Sequence, residues 1–427
     1  MSRLGGWLPG NVGTKYDWIG WDPRGVGDSR PALHCNNSYL GFNRPNYVPR
    51  TAALMRFWRH KTAGYSEDCA TSTAHRLLGH VKTRDSVKDM ESIRKALGVS
   101  KISYYGFSYG TYLGQVYATL HPNRVGRFVF DGTVDPRGVW YKANLNQNVA
   151  FDKNINRYFH YLANHSAAFK LGTDAAAIRR GYYALLRQLD EHPAYNGRIG
   201  PDELNDVMTG AAYYVYGWVD TGLAYSKLKR GISAKPIHDM FAGGLGDDNN
   251  YAMYDATQCT DVQWPKLWSK WKADAWRQHS NHPFLTWNNT WYNAPCLTWP
   301  AKAGTPVRVT GANVDVPILM VNETYDAATP YAGSIEVRRR FPTASLIEGV
   351  NGTTHSGSLS GVACTDDAIS AYLDTGAVPP RLSGDRSDKK CPPVPKPLPN
   401  APRESASARV ALMDGHRDLW FGFRPFG

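Results

Sequence analysis

The sequence predicts an α/β fold in which helices cover a parallel sheet and a large helical segment interrupts it. Short apolar runs alternate with amphipathic helical patterns from about residue 85 to residue 131, and the alternation returns from about 315 to 373. Such alternation is typical of a parallel sheet with helices on its faces. Residues 136–300 have a helical texture with Gly/Asp-rich interruptions. We therefore expect one sheet whose two parts flank a helical insertion.

The elements before the insertion follow from apolar spacing and from turn residues. Residues 15–22 predict a short buried strand, because Pro23 and Gly25 break the run directly after it. Apolar residues at helical spacing predict a helix over 85–97, with Gly98 at the position of a C-cap. The pattern then predicts a strand at 101–105, a helix at 108–121 that stops before Pro122, and a strand at 126–131.

The same reasoning predicts the elements after the insertion and divides the chain into regions. We expect a strand at 316–321, a helix at 331–340, a strand at 344–350 and a helix at 363–373. The regions are then a first part of the α/β core at 1–135, a helical cap at 136–305, a second core part at 306–391, and a tail at 392–427. The tail is rich in proline, which predicts an extended or disordered segment.

Composition and charge exclude several functional classes. The chain has 427 residues, of which 42% are hydrophobic and 20% charged, which is a globular composition. Its net charge of +12 comes from scattered basic residues, without a zinc-finger, basic-zipper or RNA-recognition motif, so we expect no nucleic-acid partner. No run of 18 apolar residues is present, so we expect no membrane insertion. The sequence does not predict the oligomeric state.

Six dispersed cysteines predict disulfide bonds and an oxidising compartment. They are Cys35, Cys69, Cys259, Cys296, Cys364 and Cys391. An even, dispersed set favours disulfides over free thiols, and none has the close spacing of a zinc site. Six cysteines allow 15 pairings, and the residues alone leave all of them open. Residues 1–10 contain no apolar stretch of the kind that a signal peptide needs, so we expect none in this chain.

The residues Gly106-Phe107-Ser108-Tyr109-Gly110 form a G-x-S-x-G motif between a predicted strand and a predicted helix. That context is the one a nucleophile elbow requires, because the tight turn exposes the serine hydroxyl and tolerates little side-chain bulk beside it. An ordinary strand-to-helix turn is the alternative. We predict that Ser108 is a nucleophile.

A serine nucleophile needs a base, and the base needs an acid that orients it. With the serine at such an elbow, the acid and then the histidine follow in chain order on loops after later strands. Asp326 follows the predicted strand at 316–321, and His355 follows the strand after that. We predict His355 as base and Asp326 as acid. Asp131 and Asp135 also follow a strand and remain alternatives for the acid.

Together these motifs resemble secreted actinobacterial tripeptidyl aminopeptidases, α/β-hydrolase serine exopeptidases related to prolyl aminopeptidases. The resemblance runs from about residue 10 to Cys391 and rests on the segments at 16–29, 106–114 and 131–136 and on those around Asp326 and His355. It implies release of short peptides, typically tripeptides, from free N-termini, without a metal or organic cofactor. It also implies that the Tyr109 N–H lies in the oxyanion hole, and that the disulfides join Cys35 with Cys69, Cys259 with Cys296 and Cys364 with Cys391.

The resemblance also implies features that precede the Tyr16 segment in the family: a signal peptide, the first strands of the sheet and an H-G-G-P-G-like loop that supplies the second oxyanion donor. Only 15 residues precede Tyr16, so we expect a chain truncated at its N-terminus. Two alternatives to the exopeptidase follow, an esterase or other acyl hydrolase with the same catalytic residues and a catalytically impaired remnant. An exopeptidase further predicts a cap carboxylate that binds the substrate ammonium group, and the candidates are Asp202, Glu203, Asp206, Asp247, Asp248 and Asp261.

Overall fold

The computed structural model describes residues 4–246 and 248–400. Its sheet has five strands, all parallel, in the spatial order β1-β2-β3-β4-β5. The strands are β1 Ile102–Phe107, β2 Val125–Asp131, β3 Ile318–Glu323, β4 Ala344–Gly349 and β5 Lys389–Cys391. The predicted α/β class, with helices inserted after the strand that follows the elbow helix, is therefore confirmed.

The α-helices fall into those outside the insertion and those that form it. The first group comprises α1 Ala52–Thr71, α2 Thr83–Ala96, α3 Tyr109–Leu120, α14 Tyr331–Arg340 and α15 Ala363–Thr375. The insertion comprises α4 Tyr141–Asn164, α5 Ser166–Phe169, α6 Ala175–Glu191, α7 Ala194–Gly197, α8 Pro201–Tyr213, α9 Trp218–Lys229, α10 Lys235–Ala242, α11 Asn249–Asp261, α12 Trp268–His279 and α13 Thr286–Asn293. Short 3-10 turns cover Leu4–Trp7, Pro9–Lys15, His75–His80, Pro122–Arg124 and Ala294–Leu297.

The sheet is buried on both faces because successive side chains of a strand point in opposite directions. Phe128 and Phe130 pack on the face that α3 and α14 cover. Val129, between them in β2, packs on the opposite face against α15, where Tyr372 and the N-terminal Leu4 join it. Runs of apolar residues without polar alternation are expected of strands buried on both faces.

The inserted helices α4–α13 have an apolar core of their own. Phe151, Tyr158, Tyr182, Leu204 and Trp218 are buried in it. The same core contacts Ala327 and Ala328, which lie in the loop after β3, so the insertion packs against the carboxyl edge of the sheet. Within residues 4–246 and 248–400, none of the helices combines the length and the apolar character needed to cross a membrane.

The predicted strand at 15–22 is wrong. Lys15 ends a 3-10 turn, and the residues after it run without strand pairing, with the Trp18 indole N–H bonded to the Gly13 carbonyl. A strand needs a hydrogen-bonded neighbour, and β1, at one edge of the described sheet, pairs with β2 alone. The structure adds α1 and β5, which the apolar patterns did not predict.

Three disulfides join Cys35 with Cys69, Cys259 with Cys296 and Cys364 with Cys391, the pairs that the resemblance implies.

The start of the proline-rich tail is ordered by contacts with the rest of the chain. Residues 392–400 contain neither helix nor strand. The Val394 N–H donates to Glu323, and the Pro397 carbonyl accepts from Tyr161. This part of the tail is held against the sheet edge and the insertion. Residues 401–427 lie outside the described part.

Candidate active site

Ser108 lies at a sharp turn between β1 and α3. Its φ is 50° and its ψ is −121°, a strained conformation for a residue with a side chain. The Ser108 N–H donates to the Asp131 carbonyl at 3.0 Å, which ties the turn to the end of β2. A Cβ on Gly106 would lie 2.8 Å from the Gly110 carbonyl oxygen, so only glycine permits the close approach. This geometry is that of a nucleophile elbow.

A histidine and a carboxylate meet at the same edge of the sheet. Asp326 follows β3 and His355 follows β4, and their Oδ2 and Nδ1 atoms are 2.7 Å apart. Both residues are almost completely buried, with 2% of each exposed. The backbone N–H of His355 donates to the backbone carbonyl of Tyr213 at 2.9 Å, which joins the histidine loop to the end of α8. The sheet and the insertion together therefore position the imidazole.

Asp326 is held in one orientation by three further donors. The backbone N–H groups of Ala328 and Thr329 each donate to its Oδ1 at 2.9 Å. The Thr329 hydroxyl donates to its Oδ2 at 2.8 Å and lies 3.2 Å from His355 Nδ1. Thr329 was not predicted as a site residue. Its position three residues after Asp326 is the available signal, because threonine hydroxyls form local hydrogen bonds with groups a few residues away.

The two alternative acids have other partners. Ser358 donates to Asp131 Oδ2 from its backbone N–H at 2.8 Å and from its hydroxyl. Burial raises the pKa of the Asp131 carboxyl to about 7. Asp135 pairs with Arg137 at 2.7 Å. The carboxylate on His355 Nδ1 is therefore that of Asp326.

Tyr109 is the first residue of α3, directly after Ser108. The first N–H groups of a helix have no acceptor in their own helix, and they favour negative charge. The phenol of Tyr109 is 2.8 Å from the Thr83 hydroxyl, and burial raises its pKa. The side chain is thus anchored away from the elbow, while the backbone N–H lies beside the serine.

Ser108, Asp326 and His355 line one cavity of about 1580 Å³ between the sheet edge and the insertion. Pockets for small molecules typically hold about 300–1,000 Å³, so this cavity has room for a peptide. The wall from the insertion is rich in amides, including Asn144, Gln147, Asn154, Gln258, Asn288 and Asn289.

The expected cap carboxylate is absent from this wall within the described residues. The carboxylates that line the cavity are Asp17, Asp22, Asp135 and Asp326, none of which belongs to residues 136–305. The candidates instead serve structural partners. Asp202, Glu203 and Asp206 bind the Arg44–Tyr47 segment, Asp248 binds the Cys35 and Asn36 N–H groups, and Asp261 binds Thr83 and Trp140. Asp247 lies outside the described residues.

One cluster of potential metal ligands occurs in the described part of the chain, and its chemistry does not suit a metal. Asp255, Cys259 and Cys296 bring an oxygen and two sulfurs within 4.8 Å of one another. The two cysteines are joined in a disulfide, so neither offers the thiolate that binds metal ions.

Comparison with known proteins gives a consistent assignment. Residues 282–391 match the family model described as TAP-like protein, an α/β-hydrolase family. The chain is 36% identical to a tripeptidyl aminopeptidase of Streptomyces coelicolor, over 91% of this chain and 72% of the relative. It is 29% identical to the serine protease Hip1 of Mycobacterium tuberculosis, over 87% of this chain and 75% of the relative. It is also 29% identical to carboxylesterase B of M. tuberculosis, over 86% of this chain and 72% of the relative. The chain therefore belongs to the tripeptidyl aminopeptidase family of α/β-hydrolase serine peptidases.

Proposed function

We propose that this chain releases short peptides, tripeptides in particular, from free N-termini through an acyl-enzyme intermediate. The observation that carries the proposal is the 2.7 Å contact between Asp326 and His355 at the sheet edge where Ser108 lies on a strained elbow. The name of the S. coelicolor relative supports the tripeptide product. The inserted helices α4–α13 form one wall of the cavity. They support an exopeptidase, because they limit how far the acyl side of a substrate can extend.

In the proposed mechanism, each side chain has one role. The Ser108 hydroxyl oxygen attacks the scissile carbonyl carbon, and His355 Nε2 takes its proton and passes it to the leaving amine. Asp326 holds the imidazole with its Nδ1 protonated. The Tyr109 N–H donates to the oxyanion that forms on the carbonyl. Water, activated by the same imidazole, then hydrolyses the ester on Ser108 and frees the peptide.

Labelling by a serine-directed phosphonate tests the nucleophile. We expect Ser108→Ala to remove both labelling and peptide turnover. Ser86→Ala is the matched control, because Ser86 lines the same cavity from α2. We expect Ser86→Ala to retain labelling, and labelling that persists in Ser108→Ala would overturn the assignment.

An esterase is the second candidate, and one observation favours it. The described cavity wall of the insertion has no carboxylate for a substrate ammonium group, and an ester substrate needs none. Carboxylesterase B is among the relatives. Turnover of a tripeptidyl p-nitroanilide and of an acyl p-nitrophenyl ester separates the two functions. Hydrolysis of the ester without hydrolysis of the anilide supports the esterase.

We also propose that the protein works outside the cell. Its three disulfides support this location, because structural disulfides form and persist in oxidising compartments. Protein isolated without reductant should then have no titratable thiol after denaturation.

A further inference from the structure

Asn288 lies in the cavity wall, and its side-chain oxygen is free to accept a hydrogen bond from a ligand. It lies on α13 and is 3% exposed. Its Nδ2 donates to Asn205 Oδ1 at 2.8 Å and to Asp206 Oδ1 at 2.9 Å. Both N–H groups of the amide are thus bonded to side chains that do not line the cavity. Within the described residues, the Asn288 Oδ1 accepts no hydrogen bond, while its side chain lines the cavity.

The orientation of this amide is determined by its neighbours. If the amide were turned over, its oxygen would face the carboxylate of Asp206 and the Oδ1 of Asn205, which are both acceptors. The amide therefore directs its nitrogen to these two side chains and its oxygen away from them. Asn289, the next residue, differs in this respect: its Oδ1 already accepts from Asn293 at 2.9 Å.

Negative charge lies directly behind Asn288. Asp202, Glu203 and Asp206 are buried on α8 and face a single cation, Arg44. Burial raises the pKa of Asp202 well above its usual range, so this carboxyl holds a proton most readily. Burial also raises the pKa of Glu203 and Asp206, and the Arg44 guanidinium opposes both shifts. The hydrogen bond from Asn288 Nδ2 to the Asp206 side chain polarises the amide and strengthens its Oδ1 as an acceptor for a cation.

Helix α8 links the residue that holds the Asn288 amide with the residue that holds the histidine loop. Asp206, which holds the Asn288 amide, and Tyr213, which accepts from the His355 N–H, lie on the same helix, α8. At 1.5 Å per residue, the rise from Asp206 to Tyr213 is about 10 Å. Three residues of an extended peptide also span about 10 Å.

We propose that Asn288 Oδ1 accepts a hydrogen bond from the α-ammonium group of the peptide substrate, and that Asp206 holds the amide and supplies the negative charge behind it. The inference rests on the proposed exopeptidase function and identifies the group that recognises the free N-terminus. Asn288 thus replaces the carboxylate that the sequence predicted in the cavity wall.

The test compares a tripeptidyl p-nitroanilide with its N-acetylated form, which keeps the scissile bond and loses the charge. We expect the unmodified enzyme to prefer the free amine at least about tenfold in kcat/KM. Asn288→Ala should reduce that preference to within about twofold by slowing the free-amine substrate alone. Asn288→Ser is the second variant, because its hydroxyl can still donate to Asp206 and support the fold.

Asn289→Ala is the matched control, since it removes a neighbouring amide whose oxygen is already bonded. We expect it to retain the preference for the free amine. Melting temperatures establish that the variants are folded. If folded Asn288 variants keep the full preference, the inference is overturned and the exopeptidase function stands. If the unmodified enzyme hydrolyses both substrates equally, the exopeptidase function fails as well.

Discussion

Replacement of Asp326 by asparagine is expected to reverse the proton arrangement of the His355 imidazole, the proposed base. The Ala328 and Thr329 N–H groups both donate to Oδ1 of the aspartate. In Asp326→Asn these donors select the amide oxygen for that position. The amide nitrogen then faces His355 Nδ1, where the carboxylate oxygen was. Because the nitrogen donates, Nδ1 must become an acceptor, and the proton moves to Nε2.

An imidazole protonated at Nε2 cannot take the proton of Ser108. The corresponding substitution in the chymotrypsin-type triad lowers kcat about 10⁴-fold, which corresponds to about 5 kcal/mol of activation free energy. We expect a loss of the same order in kcat/KM for Asp326→Asn. The hydrogen bonds at Oδ1 are conserved, so the melting temperature should change little.

Asp131→Asn is the control for this experiment, because Asp131 is another buried carboxylate near the histidine loop and it binds Ser358. Its amide can retain the shape of the side chain, and we expect activity within about tenfold of the unmodified enzyme. Initial rates on a tripeptidyl p-nitroanilide give both values. Equal losses in the two variants, or activity within tenfold in Asp326→Asn, would refute the assigned acid.

Four further outcomes are expected. Thr329→Val removes a hydroxyl that donates to the acid, a bond worth about 1.5–3 kcal/mol when the acceptor is charged, so kcat should fall about tenfold or more with KM unchanged in steady-state kinetics. Exchange of Cys364 and Cys391 for serine opens a loop with a sequence separation of 27 residues and should lower the free energy of unfolding by about 3–4 kcal/mol in urea titrations. Burial raises the pKa of Glu323 to about 8, so the folded state binds more protons than the unfolded state between about pH 4.5 and 8. Stability should therefore fall with rising pH across this window, and Glu323→Gln should remove up to about 1.4 kcal/mol per pH unit of that slope. Arg44→Met leaves buried carboxylates unpaired and should destabilise the fold by about 3–5 kcal/mol, measured in the same titrations.

Local patterns in the sequence were sufficient for most of the sheet and for the elbow. β1, β2 and β4 begin within one residue of their predicted starts. A short apolar run between turn residues is typical of a buried strand, so the run itself indicates where the strand lies. β3 begins after Pro317, two residues later than predicted, since proline has no N–H for the ladder. The helix predicted at 331–340 has the observed bounds.

Features that depend on a neighbour in space were not predictable in the same way. The 15–22 segment has the composition of a strand, but strand structure requires a partner with free N–H and carbonyl groups. β5 has the opposite character: its three residues, Lys389–Cys391, contain no apolar run, yet β4 provides the pairing. The disulfide between Cys364 and Cys391 holds β5 near α15. The family resemblance implied this disulfide, but the residue pattern alone predicted neither the bond nor the strand.

The roles of the acidic residues in the insertion were also not predictable from the sequence alone. Acidic residues in a helical segment suggest either a solvent-exposed face or direct contact with a ligand. Asp202, Glu203 and Asp206 are buried and do not line the cavity. They are buried against partners far away in sequence: Arg44 pairs with Glu203 and Asp206, and the Tyr47 N–H donates to Asp202. A carboxylate in direct contact with the substrate ammonium would have to lose its hydration in every cycle, at a cost that can exceed the gain from pairing. With Asn288 between them, the acidic cluster stays bonded to Arg44 whether or not a peptide is bound. The ammonium group then meets a fixed carbonyl dipole, and the negative charge behind it acts without becoming exposed.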